Sequence, residues 1–236
     1  MGSIRERKDE VWNTIYTEMK QTWQIPEDPS GRDNSTSINR KDWLPAVKNR
    51  GEGILIVFNK ERLEKWENDS NWKKIVEEMA GNANFISKPE GFDDEPRSLL
   101  IHTFSHLLAI EIAKECGYQL ASIRERIYSS KKKRMYGVLL YTSASDSQGS
   151  LGGLISQAKD LDLMQKHIEN MSESARICSQ DPLCGEHDPK NTGKAWGASC
   201  HSCTNLPETS CEAMMNQFLD RHTLIGNQID KAGYFD

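Results

Sequence analysis

Three features of the sequence predict an α+β fold: a small mixed sheet packed by helices, with a four-cysteine zinc module toward the C-terminus. Residues 53–58 (Gly-Ile-Leu-Ile-Val-Phe) are continuously apolar and rich in β-branched side chains. The stretch between Pro96 and Gly117 is helical in character and apolar nearly all round. Five of the six cysteines fall between Cys178 and Cys211.

Taken along the chain, Val11, Ile15, Met19 and Trp23 recur at four-residue steps and predict an amphipathic helix over residues 1–23. Residues 25–39 then mix Pro, Asp, Ser, Gly and Asn, which favours turns and buries little. Residues 1–49 are therefore read as an N-terminal helix and flexible linker. Residues 50–236 form the main domain, with its cysteine module at 176–221. The run at 53–58 has the pattern of a strand buried on both faces. One helix is expected over about Lys60 to Ala80. A second opens after Pro96 with Ser98 as its N-cap, carries Leu99, Leu100, Phe104, Leu107, Leu108, Ile112 and Cys116, and stops at Gly117. Its all-round apolarity marks it as the central core helix. Residues 122–128 and 135–142 read as a hairpin joined by the loop Ser129 to Arg134. A Gly/Ser-rich turn over 143–153 precedes a helix with Leu154, Ala158, Leu161, His167 and Met171 along one side.

Composition narrows the function classes. The net charge of −5 argues against gripping DNA by bulk positive charge, so any contact to nucleic acid must be local. Mean hydropathy is −0.69 and 28% of residues are charged, so the apolar material is confined to a few segments. No stretch has the apolar length for a membrane span, and the first thirty residues lack the apolar core of a signal peptide. A soluble, cytoplasmic protein is expected, with no membrane partner. Met1-Gly2-Ser3 reads as a vector-derived start, which would make the chain a piece of something longer. In a reducing compartment the cysteines are to be read first as metal ligands.

The cysteines fall as Cys178-x5-Cys184, then Cys200-x2-Cys203, then Cys211. Zinc favours four tetrahedral thiolate or imidazole ligands, and a Cys-x-x-Cys turn supplies two sulfurs from one tight loop. Cys178 and Cys184 offer the second pair, because a five-residue loop containing Pro182 can fold back on itself. Free buried thiols, disulfides and a redox couple are the competing readings. Clustering, the absent signal peptide and the lack of a thioredoxin-like context weigh against each in turn. Five sulfurs for four places leave one over. Pro207 looks like the first turn of a helix running to Arg221, which would carry Cys211 as fourth ligand or as lining. His187 and His201 are substitute ligands of lower standing, and Cys116 is read as core packing.

Two further patterns bear on chemistry. His102 and His106, four apart on a helix, project from one face and could share a metal, although histidines bonded to backbone are the commoner outcome. The glycines over Gly149 to Gly153 are read as a tight strand-to-helix turn rather than a phosphate cradle. Lys131, Lys132, Lys133 and Arg134 are the strongest local positive feature and the first choice for a contact to a DNA backbone, against the bland reading of a solvated hairpin tip.

Several runs together resemble a known family: Leu100-Ile-His102-Thr-Phe104-Ser-His106-Leu-Leu, Glu115-Cys-Gly-Tyr118, Gly149-Ser-Leu-Gly-Gly153-Leu, Cys178-x5-Cys184, Ala198-Ser-Cys-His-Ser-Cys203 and Pro207-Glu-Thr-Ser-Cys-Glu212, with Asn216 and Leu219-Asp-Arg221. They are similar to the C-terminal region of the DrmB family of the DISARM anti-phage system, a helicase-associated, MrfA-type zinc-binding cysteine domain. The motifs span about Trp43 to Phe235. The resemblance implies a bound Zn²⁺ on a four-cysteine pattern, a DrmA-like helicase subunit as partner, and engagement of invading DNA. In the helicase branch the first cysteine pair is closely spaced; here it is five residues apart, so Cys178 and Cys184 take its places by inference and Cys211 is the reserve. No Gly-x-x-x-x-Gly-Lys-Ser/Thr motif is present, so motor activity would reside in a partner or in residues beyond the chain. The first expectation is thus a non-catalytic zinc-binding accessory domain. The alternatives are a metal-dependent hydrolase or nuclease using His102, His106 and an acid such as Asp146, and a protein–protein scaffold without DNA affinity.

Overall fold

A computed structural model describes residues 12–16, 19–20, 50–68, 70–83, 91–142, 153–212, 215–227 and 232–236. Its strands are β1 (Trp12–Tyr16), β2 (Met19–Lys20), β3 (Arg50–Gly51), β4 (Gly53–Phe58), β5 (Ile123–Tyr128) and β6 (Gly137–Thr142). Its helices are α1 (Lys60–Glu67), α2 (Ser70–Asn82), α3 (Pro96–Cys116), α4 (Gly153–Lys159), α5 (Leu161–Ala175), α6 (Pro189–Thr192) and α7 (His222–Ile225). The principal sheet runs β1-β4-β6-β5, and β2 pairs with β3. The α+β class holds, but every pairing among the described residues is antiparallel, so the sheet is not the mixed one expected.

The expected N-terminal helix is corrected to strand over Trp12–Tyr16 and Met19–Lys20, and the rest of residues 1–23 lies outside the described residues. Residues Trp12–Tyr16 add a strand to β4, pairing Trp12 with Phe58 and Tyr16 with Ile54. Four-residue spacing satisfies a strand's even-numbered periodicity as well as a helical turn, and an available sheet edge decides between them. The proposed linker over 25–39 lies outside the described residues, as do 143–152 of the Gly/Ser-rich turn.

β4 and the hairpin β5–β6 form where expected. Ile54, Ile56 and Phe58 point into the core from β4, while Ile123, Glu125 and Ile127 alternate inward along β5. The helical stretch after β4 is two helices separated at Asn68, the first capped when the Asn59 side chain accepts from the Arg62 amide. The helix after residue 153 is likewise two, because Asp160 leaves the helix and caps α5 by accepting from the Asp162 and Leu163 amides.

α3 is the central helix. Leu99, Leu100, Ile101, Phe104 and Leu108 are all fully buried, and Phe58 meets Phe104 edge-on at 5.0 Å. It ends at Gly117, whose φ of 67° is the left-handed conformation that glycine adopts without strain. Its start differs from expectation: Pro96 occupies the first turn, and Ser98 bonds Ser129 across the core at 2.7 Å instead of capping. Nearby, Arg97 forms a buried two-pronged pair with Glu67, at 2.8 and 2.5 Å. The proposed helix from Pro207 to Arg221 does not form over the described residues. That segment is a series of turns with Met215, Asn216 and Phe218 at positive φ.

Candidate metal centre

The cysteine module begins where α5 stops. From Cys178 the chain turns tightly: the Cys184 amide donates to the Gln180 carbonyl at 3.0 Å, and the Asp181–Pro182 peptide is cis. Asp181 organises this turn, accepting from the Cys178 amide through one oxygen and from the Gly185 amide through the other, each at 2.9 Å. The second turn is tighter. The carbonyl of Cys200 accepts from the amides of Cys203, Thr204 and Asn205, so Cys200 and Cys203 present their sulfurs from one backbone loop.

These turns face each other and bring four sulfurs together. Cys178 Sγ is 3.5 Å from Cys200 Sγ, Cys200 is 3.6 Å from Cys203, and Cys203 is 3.7 Å from Cys184. All four lie within 4.8 Å of one another. A tetrahedral zinc with Zn–S near 2.3 Å requires sulfur–sulfur edges of about 3.8 Å, so the tetrad fits the ion, whereas a disulfide needs about 2 Å. The amides two residues beyond Cys178 and Cys200, of Gln180 and Ser202, each donate to the sulfur at 3.4 Å, as suits a thiolate.

The electrostatics also call for a cation. Burial and the neighbouring Cys203 push the Cys184 thiol well above the ordinary range, and burial raises Cys203 to about 11. Burial works in the same sense on Cys200, but the Ser202 amide and the other thiols outweigh it and hold that group low. One thiolate is thus favoured while its neighbours resist a second negative charge, a repulsion that a divalent ion would remove. Arg221, 2% exposed, reinforces the positive side. It donates to Asp181 at 2.5 Å and to the Ala175 carbonyl at 2.8 Å, tying the first cysteine turn to the end of α5. Gly197 allows the adjoining segment to close, because a Cβ there would collide with Asp220.

The fifth cysteine goes elsewhere. Cys211 joins His102, His106 and Glu125 in a second cluster whose ligand atoms also lie within 4.8 Å of one another. The two histidines do share a face, as their spacing predicts, but the acid beside them is Glu125. Asp146 lies outside the described residues. Burial lowers the His102 pKa. Burial would raise that of Glu125, yet the neighbouring imidazoles, when protonated, hold its carboxyl well below the usual range. Glu125 escaped the sequence reading although a signal exists: in Ile123-Arg-Glu-Arg-Ile127 the strand alternation puts the carboxylate on the same face as two isoleucines.

The remaining candidates are dispersed. His187 stacks on Trp196 at 6.0 Å, His201 is exposed, and neither belongs to a metal-ligand cluster among the described residues. Cys116 packs against the core, as expected, its thiol raised to about 11 by burial. Lys131, Lys132, Lys133 and Arg134 stand exposed at the β5–β6 tip. The Lys131 amide donates to Asp93 at 3.0 Å, and its ammonium lies 3.8 Å from Glu67. No helix among the described residues is long and apolar enough to cross a membrane.

Comparison with known proteins agrees with this architecture. Residues 104–204 match the family model described as the MrfA Zn-binding domain. Over 190 residues, 78% of its length, the chain is 36% identical to the DISARM protein DrmB of Bacillus paralicheniformis, and it spans 33% of that relative. The matched segment contains most of α3, the β5–β6 hairpin and the whole cysteine tetrad, and through these residues the chain is similar to the MrfA Zn-binding domain family.

Proposed function

We propose that the chain is a non-catalytic, zinc-stabilised accessory segment of a DrmB-like component of anti-phage defence, and that Cys178, Cys184, Cys200 and Cys203 hold the zinc. The tetrahedral spacing of the four sulfurs, inside the segment that matches a zinc-binding family, carries this reading. Bound there, the ion would supply a crosslink between two turns that are distant in sequence, and stability rather than chemistry. A helicase subunit of the DrmA type is the proposed partner, and DNA the proposed ligand, met by the exposed tip Lys131 to Arg134. The similarity to DrmB and the exposure of four consecutive cations support this assignment.

Band-shift titrations with single- and double-stranded DNA across a salt series, alongside co-purification with a DrmA-type helicase, test the proposal. Binding that weakens as salt rises supports phosphate contact. Helicase capture without any DNA affinity leaves the scaffold reading in its place.

A further inference from the structure

The second cluster draws four side chains from three separate pieces of the fold. His102 and His106 come from successive turns of α3, Glu125 from the middle of β5, and Cys211 from the loop beyond the tetrad. Glu125 Oε1 lies 3.2 Å from Nε2 of both histidines, and His102 Nε2 is 3.4 Å from Cys211 Sγ. Both rings are fully buried, and Glu125 is 2% exposed.

The orientation of the rings decides what the cluster can hold. His102 Nδ1 is 3.0 Å from the Phe218 carbonyl, and His106 Nδ1 is 2.9 Å from the Thr204 carbonyl. A carbonyl only accepts, so each Nδ1 carries a hydrogen, and each neutral ring turns the lone pair of Nε2 inward. Two lone pairs then face one carboxylate oxygen, itself an acceptor, in the dry core. Opposed acceptors there are costly unless something positive lies between them. Protonating both rings would instead put two positive charges against one carboxylate with no water to solvate them.

A metal ion resolves the conflict, and the surroundings are arranged as for one. Each histidine already donates its outer N–H to a backbone carbonyl, the usual support of a metal-bound imidazole. The Ser105 hydroxyl donates to Glu125 Oε2, the Glu212 amide donates to Oε1 at 3.2 Å, and the Asn216 amide donates to Cys211 Sγ at 3.4 Å. Tetrahedral zinc would require nitrogen–oxygen edges of about 3.3 Å and nitrogen–sulfur edges of about 3.6 Å, close to those observed. We propose that His102, His106, Glu125 and Cys211 form a second, structural metal site suited to zinc, separate from the cysteine tetrad. Four protein ligands leave no open position for substrate or water, which sets the site apart from a hydrolase centre. His102 and Cys211 also lie outside the segment that matches the zinc-binding family.

Metal analysis and zinc K-edge absorption on the full chain, purified from zinc-supplemented medium, test the site without any mutation. The expected result is two equivalents of zinc with an averaged shell of about 2.5 sulfur and about 1.5 nitrogen or oxygen ligands per ion. One equivalent in an all-sulfur shell overturns the proposal. One equivalent in a mixed, nitrogen-containing shell keeps this site and removes the tetrad. Replacement of partly exposed Cys211 by Ala locates the second ion: the sulfur count should fall to about 2 per ion, or one zinc should be lost to leave an all-sulfur shell. A Cys211→Ala protein that keeps the wild-type content and sulfur count also overturns it.

Discussion

The cysteine tetrad and the histidine–glutamate–cysteine cluster differ in how the chain assembles their ligands and in the charge each would bury. The tetrad comes from two short turns within 26 residues, each held by its own backbone hydrogen bonds. The second cluster spans 110 positions, from His102 to Cys211, and exists only because α3 packs on β5 and the segments 206–212 and 215–219 reach both. Four thiolates around a divalent ion leave a charge of −2. Such a charge suits a partly exposed site with a guanidinium beside it, where Arg221 stands. Two neutral imidazoles, a carboxylate and a thiolate sum to zero with the same ion, and a neutral group can occupy the interior of a core. The comparison teaches that local turns make the site at the periphery, while charge balance permits the one at the centre.

The largest test of this contrast is removal of the tetrad. Replacing Cys200 and Cys203 together by Ser is expected to cost on the order of 10 kcal/mol. That is comparable with the whole stability of a domain, so the module over 176–221 should lose protease resistance. Limited proteolysis with metal analysis reads both effects; an unchanged melting curve in zinc-free protein would end the idea of a structural ion there. Next in size is a control away from both clusters. Glu67→Gln leaves Arg97 charged and buried and should cost about 3–5 kcal/mol in denaturant unfolding with zinc content unaltered. If zinc falls as well, the clusters are coupled to that pair and the comparison must widen.

Arg221→Met probes the charge argument itself. It removes the cation beside the tetrad and the tie to Ala175, and because Asp181 is about one-third exposed the cost should be about 1–3 kcal/mol. Zinc should be released to a competing chelator faster from the tetrad than from the second cluster; equal acceleration at both would refute a local role for Arg221. The smallest effect on stability belongs to the basic tip. Substituting Lys131, Lys132, Lys133 and Arg134 by Ala should change stability by no more than about 0.5 kcal/mol. If the tip meets phosphates, it should also flatten the salt dependence of DNA binding by up to about 0.9 per lost contact.

Much of the fold is legible from local pattern. The run at 53–58 is so continuously apolar that only a buried strand accommodates it, the length and apolarity of α3 mark a core helix, and Gly117 supplies its stop. Where the reading failed, the local signal was shared between two outcomes. Four-residue spacing of apolar residues suits a strand and a helix equally, and over Trp12–Tyr16 pairing with β4 decided the matter. Pro207 opens a turn as readily as a helix. There Asn216 clamps Leu206, with bonds of 2.8 and 2.9 Å to its amide and carbonyl, and holds the chain in turns.

By itself the sequence determined the two cysteine turns but not which four of the five thiols meet, because Cys-x5-Cys and Cys-x-x-Cys turns close through hydrogen bonds between near neighbours, whose geometry depends little on the rest of the chain. Only the tertiary structure decided where Cys211 belongs and which acid faces His102 and His106. Those contacts join residues up to 109 positions apart. No local spacing encodes such a meeting; it depends on packing a helix against a strand, and packing is a property of the whole core.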